Sequence, residues 1–327
     1  MKKTRRIDVH HHILPPELVS KLKEVGVEDG LGVPLPEWSP EKSLSFMKKN
    51  KITTAIASTG IPVAEDYAWL RELARFCNEY TAELKDEYPS TFGGFVTLPL
   101  PDVNGALIEL KYALDTLKLD GVGFFTHYQG IYLGSKEFDE VFKELNKRKA
   151  VVFIHPIDPP EEYDSGLTMP NALIEAPFET TRAVANLMYT GTTDRYPNIQ
   201  YILSHGGGVI PYLAWRIALI RYKQENKRPP VMRALYDFYV RGGPETGLKI
   251  LKSMYYDTAL TSSQYALRAL QEFVGPSKIV FGTDYPFAAH LAPTVTKDLV
   301  NYDGFSEQDL VCIEYQNSLK LFPQLER

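Results

Sequence analysis

The chain contains eight short runs of β-branched and aromatic residues, and a stretch with helical periodicity follows each of them. Alternating strands and helices predict a parallel sheet, and eight such units in 327 residues predict a closed (β/α)8 barrel, the TIM barrel of the α/β class. No linker, repeat or low-complexity tract divides the chain, so we expect residues 1–327 to form one domain. The predicted strands are Arg6–His12, Thr53–Ser58, Phe92–Leu98, Gly121–Thr126, Ala150–His155, Ile199–His205, Met254–Asp257 and Lys278–Thr283.

A doubly wound open sheet is the alternative architecture. It is less favoured because no glycine-rich dinucleotide turn follows the first strand and because the strand count matches a closed barrel. The fifth run, Ala150–His155, is almost continuously apolar, as expected for a strand that is buried on both faces.

Helices are predicted between these strands. Ser39 followed by Pro40 predicts a helix start, with an N-cap and a proline in the first turn. The other predicted helices are Asp66–Tyr88, Asp102–Leu117, Lys136–Lys149, Phe178–Tyr189, Pro211–Arg221, Val231–Arg241, Ser262–Phe273 and Ser306–Leu321. A long proline-rich loop, Pro156–Pro177, follows the fifth strand, and loops of that length in compact domains are usually functional.

Composition narrows the class of protein. Hydrophobic residues make up 44% of the chain and the net charge is -5, so a globular fold is expected and a nucleic-acid or membrane surface is not. No apolar run approaches the roughly 18 residues that span a bilayer. The only two cysteines, Cys77 and Cys312, lie far apart, so we expect no disulfide framework and a cytoplasmic protein.

Histidines and one aspartate stand where predicted strands end. His10 and His12 lie at the end of the first strand, and their side chains are expected on the same face of it. The side chain of His11 is expected on the opposite face. Barrel enzymes build their sites at the carboxyl ends of their strands, so these residues are predicted to converge. The others are His155 after the fifth strand, His205 after the sixth and Asp284 after the eighth. An expression tag would also explain the histidine run, but the apolar residues that follow directly disfavour it.

Several motifs resemble a known family. They are Asp8-Val9-His10-His11-His12, His155-Pro156, Glu179-Thr180-Thr181, Ser204-His205-Gly206-Gly207-Gly208 and Gly282-Thr283-Asp284-Tyr285-Pro286. Together they resemble the amidohydrolase superfamily, and more closely its decarboxylase branch, typified by 2-amino-3-carboxymuconate-6-semialdehyde decarboxylase. Within that branch, the segments most similar to the 6-methylsalicylate decarboxylase group are Trp38-Ser39-Pro40, Tyr132-Leu133-Gly134 and Asn146-Lys147-Arg148-Lys149-Ala150.

The resemblance implies that His10, His12, His155 and Asp284 hold one divalent metal. Three imidazoles and a carboxylate leave coordination positions open, as a catalytic metal requires. Zinc is expected first and manganese second, because this ligand set suits either. Two-metal relatives use a carboxylated lysine after the fourth strand, whereas Val122–Thr126 contains neither a lysine nor an acid.

The resemblance also assigns His205 to the position beside the metal as an acid/base, although a fourth nitrogen ligand is an alternative reading of this residue. The three glycines after it, Gly206–Gly208, have two interpretations. They let the backbone approach the substrate, or they form a tight strand-to-helix turn.

Three residues are candidates for substrate binding. The resemblance places Arg216, eleven residues after His205, so that it reaches into a neighbouring subunit's site across a homodimer interface. The alternative reading is a surface helix arginine. Arg182 is the candidate within the same subunit, and His127 is a candidate by its position after the fourth strand, with a solvated loop role as the alternative.

We predict that the protein is a metal-dependent, non-oxidative decarboxylase of a 2-hydroxybenzoate or 6-methylsalicylate-like acid. In the predicted mechanism the metal binds the phenolic oxygen and the carboxylate, and Asp284 or His205 delivers a proton to the ring. No arginine lies between Arg6 and Arg71, which disfavours the muconate semialdehyde and favours a smaller aromatic acid. A metal-dependent hydrolase of a lactone or amide, and a non-catalytic metal-binding or ligand-binding barrel, are the alternatives.

Overall fold

The computed structural model describes residues 5–61, 64–163, 166–225, 231–232 and 244–326. Eight parallel strands form one sheet in which each strand pairs with its neighbour in the chain. The strands are β1 (Ile7–His12), β2 (Thr54–Ser58), β3 (Phe92–Val96), β4 (Gly121–Phe125), β5 (Val151–His155), β6 (Gln200–Leu203), β7 (Tyr255–Asp257) and β8 (Ile279–Val280).

The sheet closes on itself between its first and last strands. The Val9 backbone N–H donates to the Phe281 carbonyl at 3.0 Å, and His11 forms a parallel bridge with Tyr285. The predicted (β/α)8 barrel is therefore confirmed, and all eight predicted strands are present with slightly shorter bounds. The open sheet is excluded.

Helices surround the barrel. They are α1 (Pro16–Glu24), α2 (Pro40–Lys49), α3 (Tyr67–Glu87), α4 (Val103–Asp115), α5 (Asp139–Arg148), α6 (Glu175–Tyr189), α7 (Thr192–Arg195), α8 (Ile210–Glu225), α9 (Pro244–Ser253), α10 (Gln264–Val274), α11 (Ala292–Asn301), α12 (Glu307–Val311) and α13 (Asn317–Leu321). The Ser39 side chain caps α2 by accepting the Lys42 backbone N–H at 3.3 Å. A π-helical turn, Cys312–Gln316, joins α12 to α13, where the sequence predicted one continuous helix. Most of the helix predicted at Val231–Arg241 lies outside the described residues.

Two short hairpins extend from the loops that follow β1 and β4. Asp29–Gly30 pairs antiparallel with Val33–Pro34, and His127–Tyr128 pairs antiparallel with Ile131–Tyr132. Strands of two residues carry no periodic signal, so the sequence did not predict them.

Side chains from the strands fill the barrel interior. Val9, Ile56, Phe95 and Phe153 belong to one buried cluster, which Phe322 from the chain's C-terminal end also joins. The rings of Phe95 and Phe153 stack with centroids 5.3 Å apart. These packed side chains form a floor, and the functional residues lie at the carboxyl ends of the strands.

A bulge in β1 directs His10 inward. Asp8 pairs with Ala55 and His11 with Ala57, so Val9 and His10 together face the single residue Ile56. Val9 packs in the interior cluster, yet the ring of His10 also lies inside the barrel, 4.9 Å from that of Phe153. A bulge re-aims side chains in this way because it inserts one residue into the strand's two-residue repeat.

Among the described residues, no helix combines the length and the apolar character that crossing a membrane requires.

Candidate metal centre and active site

Four of the predicted site residues converge at the carboxyl ends of the strands. One ligand atom from each of His10, His12, His155 and Asp284 lies within 4.8 Å of those of the other three. The Nε2 atoms of His10 and His12 are 3.1 Å apart, and each lies 3.3 Å from Oδ1 of Asp284. His10, His12 and Asp284 are buried and His155 is partly buried, and the donor set of three imidazoles and one carboxylate suits a divalent metal ion.

Each of the three histidines is oriented through its other nitrogen. Nδ1 of His10 lies 2.7 Å from Oδ2 of Asp257, and Nδ1 of His12 lies 3.0 Å from the Ser58 hydroxyl. Nδ1 of His155 donates to the Pro156 carbonyl at 2.8 Å. Outer contacts of this kind fix the ring orientation and leave Nε2 to face the metal.

An unsatisfied buried nitrogen indicates that the cluster is built to hold a cation. Nε2 of His155 is buried and has no hydrogen-bond partner among the described atoms. Buried polar atoms are normally paired, so a lone pair that faces three other donor atoms fits a metal ligand. The residues present therefore fit a single divalent ion.

The charges of the cluster also favour a cation. Burial acts to lower the pKa of His10, but the carboxylates of Asp257 and Asp284 outweigh it and raise that pKa to about 10. Burial alone would raise the pKa of Asp284, yet the imidazoles of His10 and His12 hold it well below its ordinary value. Burial, and then the imidazoles of His12 and His10, lower the pKa of His155 well below its ordinary value. Asp284 is therefore ionised and His155 neutral, the forms in which both side chains bind metal.

Sequence reasoning missed Asp257, at the end of β7. Its Oδ2 holds His10, and its Oδ1 accepts the backbone N–H groups of His205 at 2.8 Å and Ala259 at 3.0 Å. The side chain is fully buried. Its position at the end of a predicted strand was the signal that would have found it.

His11 points away from the cluster, as predicted. Its Nδ1 lies 3.1 Å from Asp8 and its Nε2 2.5 Å from the Ser43 hydroxyl, and its ring stacks on Tyr285 with centroids 4.5 Å apart. The histidine run is buried within the first strand of the barrel, so it is not a tag.

His205 lies beside the four clustered residues and also lines the cavity above them. Its ring centroid is 4.9 Å from that of His10 and 5.7 Å from that of His155. Nδ1 contacts the Ala259 carbonyl at 3.3 Å, so this nitrogen carries the hydrogen and Nε2 is the atom available for proton transfer.

The glycines after His205 pack tightly against protein atoms. A Cβ at Gly208 would lie 2.0 Å from the Pro177 carbonyl oxygen, and one at Gly207 would lie 2.5 Å from the ring of Tyr256. Both have positive φ, so a side chain would also strain the backbone. These contacts support the tight-turn interpretation, although Gly208 also lines the cavity.

His127 lines the same cavity, and both of its ring nitrogens are engaged. Nε2 donates to the Asp158 carbonyl at 2.9 Å, and Nδ1 accepts the Gly130 backbone N–H at 3.4 Å. Burial lowers the pKa of His127. This histidine therefore ties the loop after β5 to the hairpin after β4.

Arg182 lies on α6 and is not among the residues that line the described cavity. Its guanidinium pairs with the buried carboxylate of Glu179, and Glu175 lies 3.7 Å from the same nitrogen. Glu179 also accepts the Tyr132 hydroxyl at 2.9 Å.

Arg216 lies exposed on α8, likewise outside the lining of the cavity.

A cavity of about 1450 Å³ opens above the cluster. At the metal end it is lined by His12, His155, His205 and Asp284, and apolar walls continue from there. Phe287 is one wall residue, with its ring 5.6 Å from that of His12. Phe125, the last residue of β4, is another.

A barrel of eight parallel strands with a histidine and aspartate cluster at their carboxyl ends defines a class of metal-dependent barrel enzymes. The chain belongs to one family of that class, since the family model described as Amidohydrolase matches residues 7–324.

Similar proteins cover nearly the whole chain. A decarboxylase of Aspergillus niger, yanB, is 36% identical over 341 residues, which cover 98% of this chain and 88% of that protein. The 6-methylsalicylic acid decarboxylase of Penicillium expansum is 34% identical over 327 residues, covering 98% of this chain and 97% of that protein. A crystal structure of an amidohydrolase II superposes with a TM-score of 0.86 at 27% identity, covering 97% of this chain and 99% of that one.

Proposed function

We propose that this chain is a metal-dependent, non-oxidative decarboxylase of a small aromatic carboxylic acid, a carboxy-lyase of the amidohydrolase superfamily. The observation that carries this proposal is the cluster of His10, His12, His155 and Asp284, with its buried and unpartnered His155 nitrogen, beneath a largely apolar cavity. The similarity to aromatic acid decarboxylases along nearly the full chain supports it.

We assign the metal to His10, His12, His155 and Asp284. A divalent ion held there would act as a Lewis acid toward the oxygens of the substrate. Three imidazoles and one carboxylate suit zinc first and manganese second. Asp257 and Ser58 support this assignment because they orient two of the ligand histidines.

The reaction replaces the bond between the ring and the carboxylate by a bond to hydrogen, so it consumes one proton and releases carbon dioxide. His205 would supply that proton from Nε2 when both of its ring nitrogens are protonated, while the Ala259 carbonyl accepts the Nδ1 hydrogen and orients the ring. Asp284 is the alternative donor, but its ionised carboxylate would first have to take up a proton, and its contacts with His10 and His12 engage one of its oxygens. The apolar walls exclude water from the reacting carbon and strengthen the electrostatic interactions at the cluster.

Arg216 fits a role in a homodimer better than a role in its own subunit. It is exposed on α8, next to the half-exposed Trp215, and it does not line the described cavity of its own subunit. We therefore assign it to the carboxylate of substrate bound by a partner subunit. His127 shapes the cavity wall through Asp158, whereas Arg182 pairs with Glu179 outside the described lining. We place the protein in the cytoplasm, where its cysteines stay free.

The test is carbon dioxide release from a panel of 2-hydroxybenzoates by protein supplied in turn with zinc and manganese. Release that is lost in His155→Ala and Asp284→Ala, but kept in the exposed control Asp303→Ala, would support the proposal. The panel includes simple lactones and anilides. Turnover of only those compounds would identify a hydrolase, and turnover of nothing by metal-loaded protein would indicate a binding barrel.

A further inference from the structure

The cavity is larger than a single substituted benzoate requires. Its volume of about 1450 Å³ exceeds the range of about 300–1,000 Å³ that is usual for small-molecule sites. An aromatic acid with its carboxylate at the metal cluster would occupy only the end near His12, His155 and Asp284. The remaining space has its own lining, and that lining indicates what the rest of the substrate looks like.

A hydrocarbon part of the cavity lining, here called the apolar arm, consists of Leu22, Val27, Val33, Leu35 and Ile61. These side chains come from α1 and its following turn, from the hairpin after it, and from the loop after β2. All five are hydrocarbon side chains, so they offer a substrate burial and no hydrogen bond, although Asp29 of the same hairpin also lines the cavity. Burial of hydrocarbon is the only substantial interaction that these five side chains can provide.

Phe287 connects the apolar arm to the metal end. Its ring centroid lies 5.6 Å from that of His12, and a Cβ at Gly30 of the hairpin would lie 3.9 Å from the same ring. A ring bound over the cluster therefore meets Phe287, and a substituent that passes Phe287 reaches the hairpin.

The walls carry charges of one sign. Among the described lining residues there is no lysine or arginine, whereas the acidic ones are Asp29, Asp158, Glu161, Glu162 and Asp284. A second anionic group on the substrate would meet acidic neighbours and no cation from this subunit. The lining thus selects a substituent without negative charge.

The hairpin that forms part of the arm is held in place by Asp158. Its carboxylate accepts the Leu31 backbone N–H at 3.2 Å and the Asn171 side-chain amide at 2.9 Å, while its carbonyl accepts from His127. The Ala172 backbone N–H also donates to the Leu31 carbonyl at 2.9 Å. Because the wall is preformed, a bound chain gains contacts without first ordering the protein.

Resting on the decarboxylase function proposed above, we propose that the substrate is a hydroxybenzoate with an uncharged hydrocarbon substituent several carbons long, which binds in the apolar arm. Decarboxylation then yields a phenol that keeps the same chain. The methyl group of a 6-methylsalicylate-like acid would leave most of the arm unfilled.

The experiment compares 2-hydroxybenzoates that bear straight alkyl chains of one, three, five or seven carbons at ring position 6, with the position 4 isomers alongside. Carbon dioxide release gives kcat/KM for the metal-loaded protein. In one of the two series we expect kcat/KM to rise about fourfold with each methylene, because each one is transferred from water to the arm. A series with a terminal carboxylate on the chain should lose this gain.

The substitutions Val33→Gln and Leu35→Gln each place an amide in the arm. Each should reduce the increase of kcat/KM with chain length. Val25→Gln is the matched control, since Val25 is half exposed and outside the cavity, and it should keep the wild-type dependence. Thermal unfolding checks that the variants fold, and two arm variants keep the test informative if one of them does not.

The outcomes separate the two proposals. If the wild-type protein turns over the short acids but kcat/KM stays constant or falls as the chain lengthens in both series, the proposal for the apolar arm is overturned. The decarboxylase function is then still supported. No release from any acid overturns the decarboxylase function. In that case, calorimetric titration of metal-loaded protein with the seven-carbon and one-carbon acids tests the arm directly, and equal affinities overturn it.

Discussion

Asp257 Oδ2 lies 2.7 Å from Nδ1 of His10, and both side chains are fully buried. The same carboxylate accepts the backbone N–H of His205 through its other oxygen, so one side chain positions a metal ligand and the residue proposed to move the proton. Its geometry links binding of the metal to the chemical step.

Replacing Asp257 by Asn should weaken metal binding about 10-fold to 100-fold, because the amide is a weaker partner for the His10 imidazole. Competition with a chelator of known affinity measures the change. Asp303→Asn, on the exposed surface, is the matched control and should bind metal as the wild type does. Unchanged affinity in Asp257→Asn would show that the contact does not support the ligand.

His205→Asn should lower kcat by about 10²-fold to 10⁴-fold while the metal content stays at one ion per chain, since the ring lies next to the ligand cluster and is not one of its four members. Steady-state kinetics with metal analysis tests this expectation. A kcat within a few-fold of the wild-type value would indicate that Asp284 transfers the proton. Loss of the metal would indicate that His205 is a metal ligand.

His11 should matter for stability and not for the metal, although it stands between two proposed ligands in the chain. His11→Ala removes contacts with Asp8, Ser43 and the Tyr285 ring, and we expect it to lower the free energy of unfolding by about 2–4 kcal/mol. Urea denaturation of the metal-free protein measures this effect. Loss of stoichiometric metal at wild-type stability would contradict the assignment.

The burial of His127 predicts a pH dependence of stability. Burial lowers its pKa below the ordinary value of 6.5, so the unfolded chain binds a proton that the folded chain does not. The contribution of His127 to the free energy of unfolding is fully present above the pKa that this residue has in the unfolded chain. It is lost as the pH falls through that value toward the lower pKa in the folded chain. Urea denaturation of the wild type and of His127→Asn at about pH 7.5 and about pH 5.5 should show the wild type losing more stability. An equal loss in both proteins would contradict this account of His127.

The barrel and the four clustered residues could be predicted because each depends on a local pattern. Buried strands are apolar runs, and a polar residue at the end of such a run lies at the catalytic end of a barrel. The bulge that lets both Val9 and His10 point inward could not be predicted in this way, because it depends on pairing with β2, a strand more than forty residues away in the chain. Asp257 ended a predicted strand, but one aspartate in isolation carries no sign of the histidine it will meet.

The walls of the cavity were the least predictable part. The hairpin near Leu31 consists of two-residue strands, and a carboxylate from the loop after β5 holds it in place. Neither feature has a sequence period. Arg182 was chosen by residue type and position, but its pairing with Glu179, three residues earlier on α6, follows from the spacing along the helix and could have been predicted.

The most direct test of the central proposal is to titrate a divalent ion into metal-stripped protein while carbon dioxide release from a 2-hydroxybenzoate is measured. One site made of His10, His12, His155 and Asp284 predicts no release without metal and a linear rise to a plateau at one ion per chain. Full release from stripped protein, or a plateau that requires two ions per chain, would contradict a single-metal decarboxylase.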